Sequence, residues 1–147
     1  MSLKERLTND LKEAMKNKQQ LRKNVITLIR SDIKQTEVDK RVELQDQDII
    51  EIVSRQLKQR KDAVDEFQKG GRDDLVQETQ EEISILLEYL PEQMSEEEVA
   101  NVVKETISEI GANSMKDMGK VMAAVIPKVK GKADGKIVNQ IVKQQLQ

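Results

Sequence analysis

The sequence contains no cysteine, no histidine and no tryptophan. Without cysteine there is no disulfide, no thiolate metal site and no thiol nucleophile. Without histidine the chain lacks the commonest general base near neutral pH and the commonest metal ligand. Zinc in its usual His/Cys ligation is excluded, as are Ser–His and Cys–His nucleophile pairs. Aromatic side chains are almost absent, Phe67 and Tyr89 being the only two. A core must therefore come from Leu, Ile, Val, Met and Ala, which suit interdigitating helices and suit β-sandwiches poorly. Only two prolines and six glycines interrupt the 147 residues, which again favours long helices. No apolar run approaches the roughly 20 residues of a membrane span, so no membrane partner is expected. The start, Met1-Ser2-Leu3-Lys4-Glu5-Arg6, has no signal-peptide core. A cytoplasmic location is the resulting expectation.

What the chain does have is charge, and the charge is segregated. The formal net charge is −2. Residues 1–72 hold 17 Lys/Arg against 13 Asp/Glu, residues 73–110 hold Lys104 against 12 acids, and residues 111–147 hold seven lysines against two aspartates. The carboxyl end is thus basic within an acidic chain, and a local basic patch can bind a polyanion whatever the total charge.

Apolar residues recur at three- and four-residue steps through most of the sequence, the signature of amphipathic helices. Ser2 is placed to cap a first helix to about Asn17, with Leu3, Leu7, Leu11, Ala14 and Met15 inward. A second runs from about Gln20 to Asp39 on Leu21, Val25, Leu28, Ile29 and Ile33, its end fraying through Thr36-Glu37-Val38. Asp46 caps a third, with Ile49, Ile50, Val53, Leu57, Val64 and Phe67 buried, and Gly70-Gly71 closes it. Asp73 caps a fourth to about Leu90, with Leu75, Val76, Ile83, Leu86, Leu87 and Leu90 inward. Pro91 stops that helix and opens a linker, Pro91–Met94. Ser95-Glu96-Glu97-Glu98 then reads as a capping box. The fifth helix carries Val99, Val102, Val103, Thr106, Ile107 and Ile110 before Gly111. A sixth follows Ser114 with Met115, Met118, Val121, Met122, Val125 and Ile126. A seventh follows Asp134 with Ile137, Val138, Ile141, Val142 and Leu146. The fold class is therefore all-α, in two helical bundles: four helices over residues 1–90, then three over residues 95–147. The second has only about 50 residues, near the lower limit for independent folding.

Paired carboxylates at Asp73-Asp74, Glu81-Glu82 and Glu96-Glu97-Glu98 lie at helix starts and on polar faces, where nothing perturbs them toward acid–base work. No metal-loop spacing accompanies them. Gly70-Gly71 has no strand before it and no Gly-Lys-Ser/Thr after it, so it is no phosphate loop. Neither a cofactor nor a metal is expected. The segment Lys128-Val129-Lys130-Gly131-Lys132 reads as a basic loop between two helices, with Lys136 in the first turn of the next and Lys120 on the one before. These lysines either form a solubilising rim or converge on an anion, helped by amides at a helix start. No aromatic lies nearby for base stacking, so a nucleic-acid partner would be read through phosphates and shape, as in a folded RNA. The bases Arg55, Lys58, Arg60 and Lys61 on the third helix form a weaker candidate. Met115, Met118 and Met122 read as core filler.

Three segments carry a family resemblance. They are Asp117-Met118-Gly119-Lys120-Val121-Met122-Ala123, Lys130-Gly131-Lys132-Ala133-Asp134-Gly135-Lys136, and Val138-Asn139 with Ile141-Val142-Lys143. Together they resemble the signature of the GatB/YqeY family. Upstream, the run Leu21 to Lys34 and Tyr89-Leu90-Pro91 resemble its free-standing members, so the likeness covers essentially the whole chain. The resemblance implies a two-bundle fold and homology to the tail of the B subunit of the glutamine-dependent amidotransferase acting on misacylated Glu-tRNA(Gln) or Asp-tRNA(Asn). In that complex the tail contacts the tRNA body. By this analogy RNA contact falls on Lys120, Lys130, Lys132 and Lys136, beside Lys128 of the basic loop, with Gly119, Gly131 and Gly135 as backbone-shape positions.

Three functions follow as expectations. The first is a non-catalytic module for tRNA or another structured RNA, accessory to aminoacylation or amidation. The second is an adaptor docking on an aminoacyl-tRNA synthetase or amidotransferase through the acidic stretch 73–110. The third is part of a carbon–nitrogen ligase with glutamine as amido donor, for which nothing in the chain resembles an active site.

Overall fold

The computed structural model describes residues 1–147, as seven α-helices and no strand. They are α1 (Leu3–Lys16), α2 (Gln20–Lys40), α3 (Asp46–Lys69), α4 (Asp73–Leu87), α5 (Glu96–Ile110), α6 (Met118–Val129) and α7 (Gly135–Leu146), with a 3₁₀ turn, Met115–Asp117, leading into α6. The chain divides into two compact units, Met1–Leu90 and Pro91–Gln147.

In the first unit, the Ser2 hydroxyl caps α1 by accepting from the Glu5 N–H. Asp46 does not cap α3: it is the first helical residue, and its carboxylate accepts instead from the Leu3 N–H at 3.0 Å, tying the starts of α1 and α3. The Gln45 N–H is taken by Asp48 at 2.9 Å. Gly71 adopts φ +69 beyond the end of α3, a conformation open to glycine at little cost. The end of α2 does not fray. Glu37 accepts from the Lys4 ammonium and from the Leu44 N–H, which anchors the last turns until Arg41 closes them with φ 54.

The core of this unit combines Leu7, Val25, Ile26, Ile29, Ile49, Val53, Ile85, Leu86 and Tyr89. Five members of this core, Ile26, Leu44, Ile52, Ile85 and Tyr89, fall outside the expected stripes, whereas Met15, Leu28 and Leu87 are exposed. The difference is one of phase. On α2 the buried stripe is Val25/Ile26, Ile29 and Ile33, and Leu28 lies about 100° away around the helix. Tyr89 belongs inside because its hydroxyl has a partner: it donates to Asp10 Oδ2. The Arg6 guanidinium stacks over its ring at 4.6 Å and donates to the Glu88 carbonyl at 2.7 Å. Burial and the neighbouring Asp10 carboxylate push the Tyr89 phenol well above its ordinary range.

The second unit packs α5, α6 and α7 around Val99, Val103, Val121, Val125, Val129, Val138, Ile141, Val142 and Leu146. Ser95 caps α5 by accepting from the Glu98 N–H at 3.2 Å. The Glu98 carboxylate completes only part of the expected box, accepting from the Ser95 hydroxyl rather than from its amide. Gly111, at φ 70, ends the helix. Ile110, Met115 and Ile126 are exposed rather than inward. On α6 the four-residue spacing of Val121, Val125 and Val129 sets the buried face, and Ile126 falls one position off it. This helix also runs through Pro127 for a further half-turn, where the sequence suggests a loop. The proline removes one helical hydrogen bond, but Val129 is buried by the continuation.

Candidate nucleic-acid interface

The basic residues of the second unit follow from where α6 stops and α7 starts. Because α6 continues to Val129, Lys128 is a helical residue and not part of a loop. Its ammonium donates to the Thr106 hydroxyl at 2.9 Å and to Glu109 Oε2 at 3.0 Å, both on α5. Thr106 is fully buried and donates in turn to the Val102 carbonyl at 2.8 Å. The charge of Lys128 is thus committed to pinning α6 on α5, and this lysine is the least available of the expected set.

The loop proper is Lys130–Asp134. Gly131 adopts φ 75, the left-handed region that a side chain rarely enters. The Lys132 and Ala133 amides close back on the Val129 carbonyl at 2.8 and 3.2 Å. Two contacts from the preceding segment then hold the loop from outside. The Met94 N–H donates to the Lys132 carbonyl at 2.8 Å. The Gln93 side-chain amide donates to the Gly131 carbonyl at 2.8 Å. Pro91–Met94, expected as a linker, is also a clamp on the Gly131–Lys132 backbone. No pattern in the sequence marks Gln93 and Met94 for this role, because the bonds join residues almost forty positions apart. Thr106 did leave a signal: a hydroxyl in the middle of an apolar stripe, in need of a partner when buried.

Lys130, Lys132 and Lys136 are all exposed at the α6–α7 junction. Asp134 caps α7 by accepting from the Lys136 N–H at 2.9 Å. Lys120 is exposed too, in the first turn of α6. From there to Lys130 the helix rises about 15 Å, so the lysines form two groups at opposite ends of α6 rather than one point of convergence. Lys120, Lys132 and Lys136 make no ion pair. Asp117 and Asp134 precede the two helix starts and already answer much of their dipole, which leaves the ammonium groups as the main attraction for an anion.

Of the three glycines, only Gly131 is held in a conformation that needs one. Gly119 and Gly135 sit in ordinary helical backbone, and a Cβ at either would meet nothing within 4 Å. Neither is required by packing within the unit.

The other basic candidate is largely committed to the fold. Arg55 grips Asp32 with both contacts at 3.1 Å, and Arg60 pairs with Glu82 at 3.4 Å between α3 and α4. Lys58 and Lys61 remain exposed. The acidic stretch 73–110 is divided between the two units, α4 in one and α5 in the other. Several of its acids are engaged locally: Asp74 with Arg72 at 3.1 Å, Glu82 with Arg60, and Glu88 with Arg22 at 2.9 Å.

A family profile described as Yqey-like protein matches residues 4–146. The chain belongs to the Yqey-like family. Among curated proteins it is similar to the Altered inheritance of mitochondria protein 41, mitochondrial, of several fungi. The Kluyveromyces lactis protein is 39% identical over 102 residues, 67% of this chain and 55% of the relative. The Pyrenophora tritici-repentis protein is 27% identical over 142 residues, 95% of this chain and 78% of the relative. The Saccharomyces cerevisiae protein is 35% identical over 85 residues, 57% of this chain and 46% of the relative. The matches to the first and third of these relatives span about half the length of each. The cytoplasmic location expected from the sequence is overturned by these names, which point to mitochondria. The expectation rested on the lack of an apolar signal core, a feature that bears on secretion. Import into an organelle relies on a different kind of segment, amphipathic and rich in Arg and Ser.

Proposed function

We propose that the second unit is a non-catalytic module that contacts a structured RNA of the tRNA type through Lys120, Lys130, Lys132 and Lys136. One observation carries the reading: the Lys130-Gly131-Lys132 loop is exposed, yet its backbone is clamped by Gln93 and Met94. A preformed loop loses little entropy on binding, so its ammonium groups attract phosphates at lower cost than mobile side chains on a mobile backbone. The open space over Gly119 and Gly135 supports the same reading, because each lies next to a lysine of the set and leaves room for a phosphate to approach the backbone. The lack of aromatic residues in this unit favours a folded RNA over a single strand. Lys128 serves this interface indirectly, by holding α6 on α5.

Titration of the full chain against bulk tRNA over a range of salt concentrations tests the proposal. Affinity should fall steeply with salt, and the triple variant Lys120→Ala, Lys130→Ala, Lys132→Ala should lower the log–log slope by about 2 to 3, near one per lost phosphate contact. Equal slopes for the variant and the wild type would end it.

A further inference from the structure

A concave feature lies in the first unit. Between α1 and α2 runs an open cleft of 560 Å³, within the range of about 300–1,000 Å³ usual for small-ligand sites. Its floor is apolar, formed by Leu7, Leu11 and Ile33. Thr27, Arg30, Ser31 and Lys34 line the α2 side at steps of three and four residues, so they share one helix face.

The charge in this cleft is unbalanced. Its one carboxylate, Glu37, is already taken by the Lys4 ammonium and by the Leu44 N–H at 2.8 Å. Arg30 and Lys34 are exposed and make no ion pair. Two cations one helical turn apart, above an apolar floor, complement an oxyanion attached to a hydrophobic body. No aromatic side chain lines the cleft, so nothing in it would stack a nucleobase, and an aliphatic body fits the floor better. The α2 wall from Thr27 to Lys34 spans about 10 Å, the scale of a short chain with its headgroup.

We propose that the α1–α2 cleft is a binding site for a small amphiphilic oxyanion, an organic phosphate with a short aliphatic body. Arg30 and Lys34 hold the headgroup, Ser31 donates to it, and Leu7, Leu11 and Ile33 receive the chain. The Lys4–Glu37 pair closes one end and takes no part in headgroup binding. The site is independent of the RNA contact proposed for the second unit.

Hexyl phosphate titrated into the full chain, followed by NMR, tests the site. Saturable shifts should be confined to Leu7, Leu11, Ile33 and their neighbours on α1 and α2. Inorganic phosphate and hexanol, each presenting half of the ligand, should bind at least about tenfold more weakly. The double variant Arg30→Gln, Lys34→Gln should lose about tenfold or more in affinity with an unchanged melting temperature, because both side chains are exposed and without partners. Ser31→Glu, which places a negative charge in the cleft, should abolish binding. Phosphatidic acid vesicles distinguish the source of the headgroup. Vesicle binding competed by hexyl phosphate points to a lipid, and hexyl phosphate binding without vesicle binding points to a soluble phosphate; either supports the site. The proposal fails if hexyl phosphate gives no saturable shift or if the double variant binds like the wild type. It fails equally if inorganic phosphate binds as tightly as hexyl phosphate.

Discussion

The two units differ in how many ion pairs tie one helix to another. In Met1–Leu90 four ion pairs join one helix to another: Lys4 to Glu37, Arg22 to Glu88, Arg55 to Asp32, Arg60 to Glu82. In Pro91–Gln147, Lys128 does the same with Glu109, while Lys120, Lys132 and Lys136 face solvent without a partner. The cores differ in parallel. The first is dominated by Ile and Leu and includes a tethered tyrosine. The second is mostly valine, a smaller side chain that buries less surface and is a weaker helix former. A charge engaged in cohesion is not available for a partner. The unit with the thinner core exposes Lys120, Lys132 and Lys136 near the ends of α6, whereas the unpaired Arg30 and Lys34 of the first unit line the α1–α2 cleft.

Core truncations probe this contrast most strongly. Ile26→Ala in the first unit should cost about 4 kcal/mol, and Val103→Ala in the second about 2 kcal/mol, both side chains being fully buried. Denaturant unfolding of each variant measures the pair; equal costs would remove the distinction between the cores. Next comes Tyr89→Phe, which leaves Asp10 without its hydroxyl donor and should destabilise the first unit by about 1 kcal/mol. Gly131→Ala should cost about 1 kcal/mol through its positive φ and weaken tRNA binding. Gly119→Ala should leave folding unharmed, since nothing lies within 4 Å. Thermal melts beside a mobility-shift titration separate these outcomes. The smallest effect belongs to Lys128→Met, about 0.5 kcal/mol for a half-exposed pair; a loss of tRNA affinity as large as that of the triple variant would assign this lysine a direct contact after all.

Acidity sharpens the comparison further. The Lys4 ammonium and the Leu44 amide hold the Glu37 carboxyl below its ordinary range. A depressed carboxylate stabilises the fold above its unfolded value, about 4.3, and that contribution is lost as pH falls through the folded value. The first unit should therefore lose stability on acidification toward pH 3, an effect that Glu37→Gln reduces. At the other extreme, the raised Tyr89 phenol and Lys4 ammonium contribute stability below about pH 10 that declines as pH rises further. Stability curves of wild type and Tyr89→Phe across pH 9–11 check the sign.

Much of this was legible in the sequence. The all-helical class followed from an aliphatic palette at three- and four-residue steps. Helix ends at Ser2, Ser95, Gly111 and Asp134 were readable because capping is local chemistry between neighbours. The phase of each stripe was less so: Leu28, Leu87 and Ile126 look as apolar as Ile26, Ile85 and Val129, and only the packing partner chooses between adjacent positions. For the candidate interface, the sequence supplied the lysines and not their circumstances. Nothing local places Lys128 against Glu109, or Gln93 and Met94 on the loop carbonyls.

Periodicity, capping and turn residues act over a few positions, so the order of the chain determined seven helices and a basic carboxyl end. Which lysines remain available, which glycine is required and where a cleft opens depend on contacts between residues distant in the chain. Such contacts are set by mutual packing, and tertiary structure alone decided them.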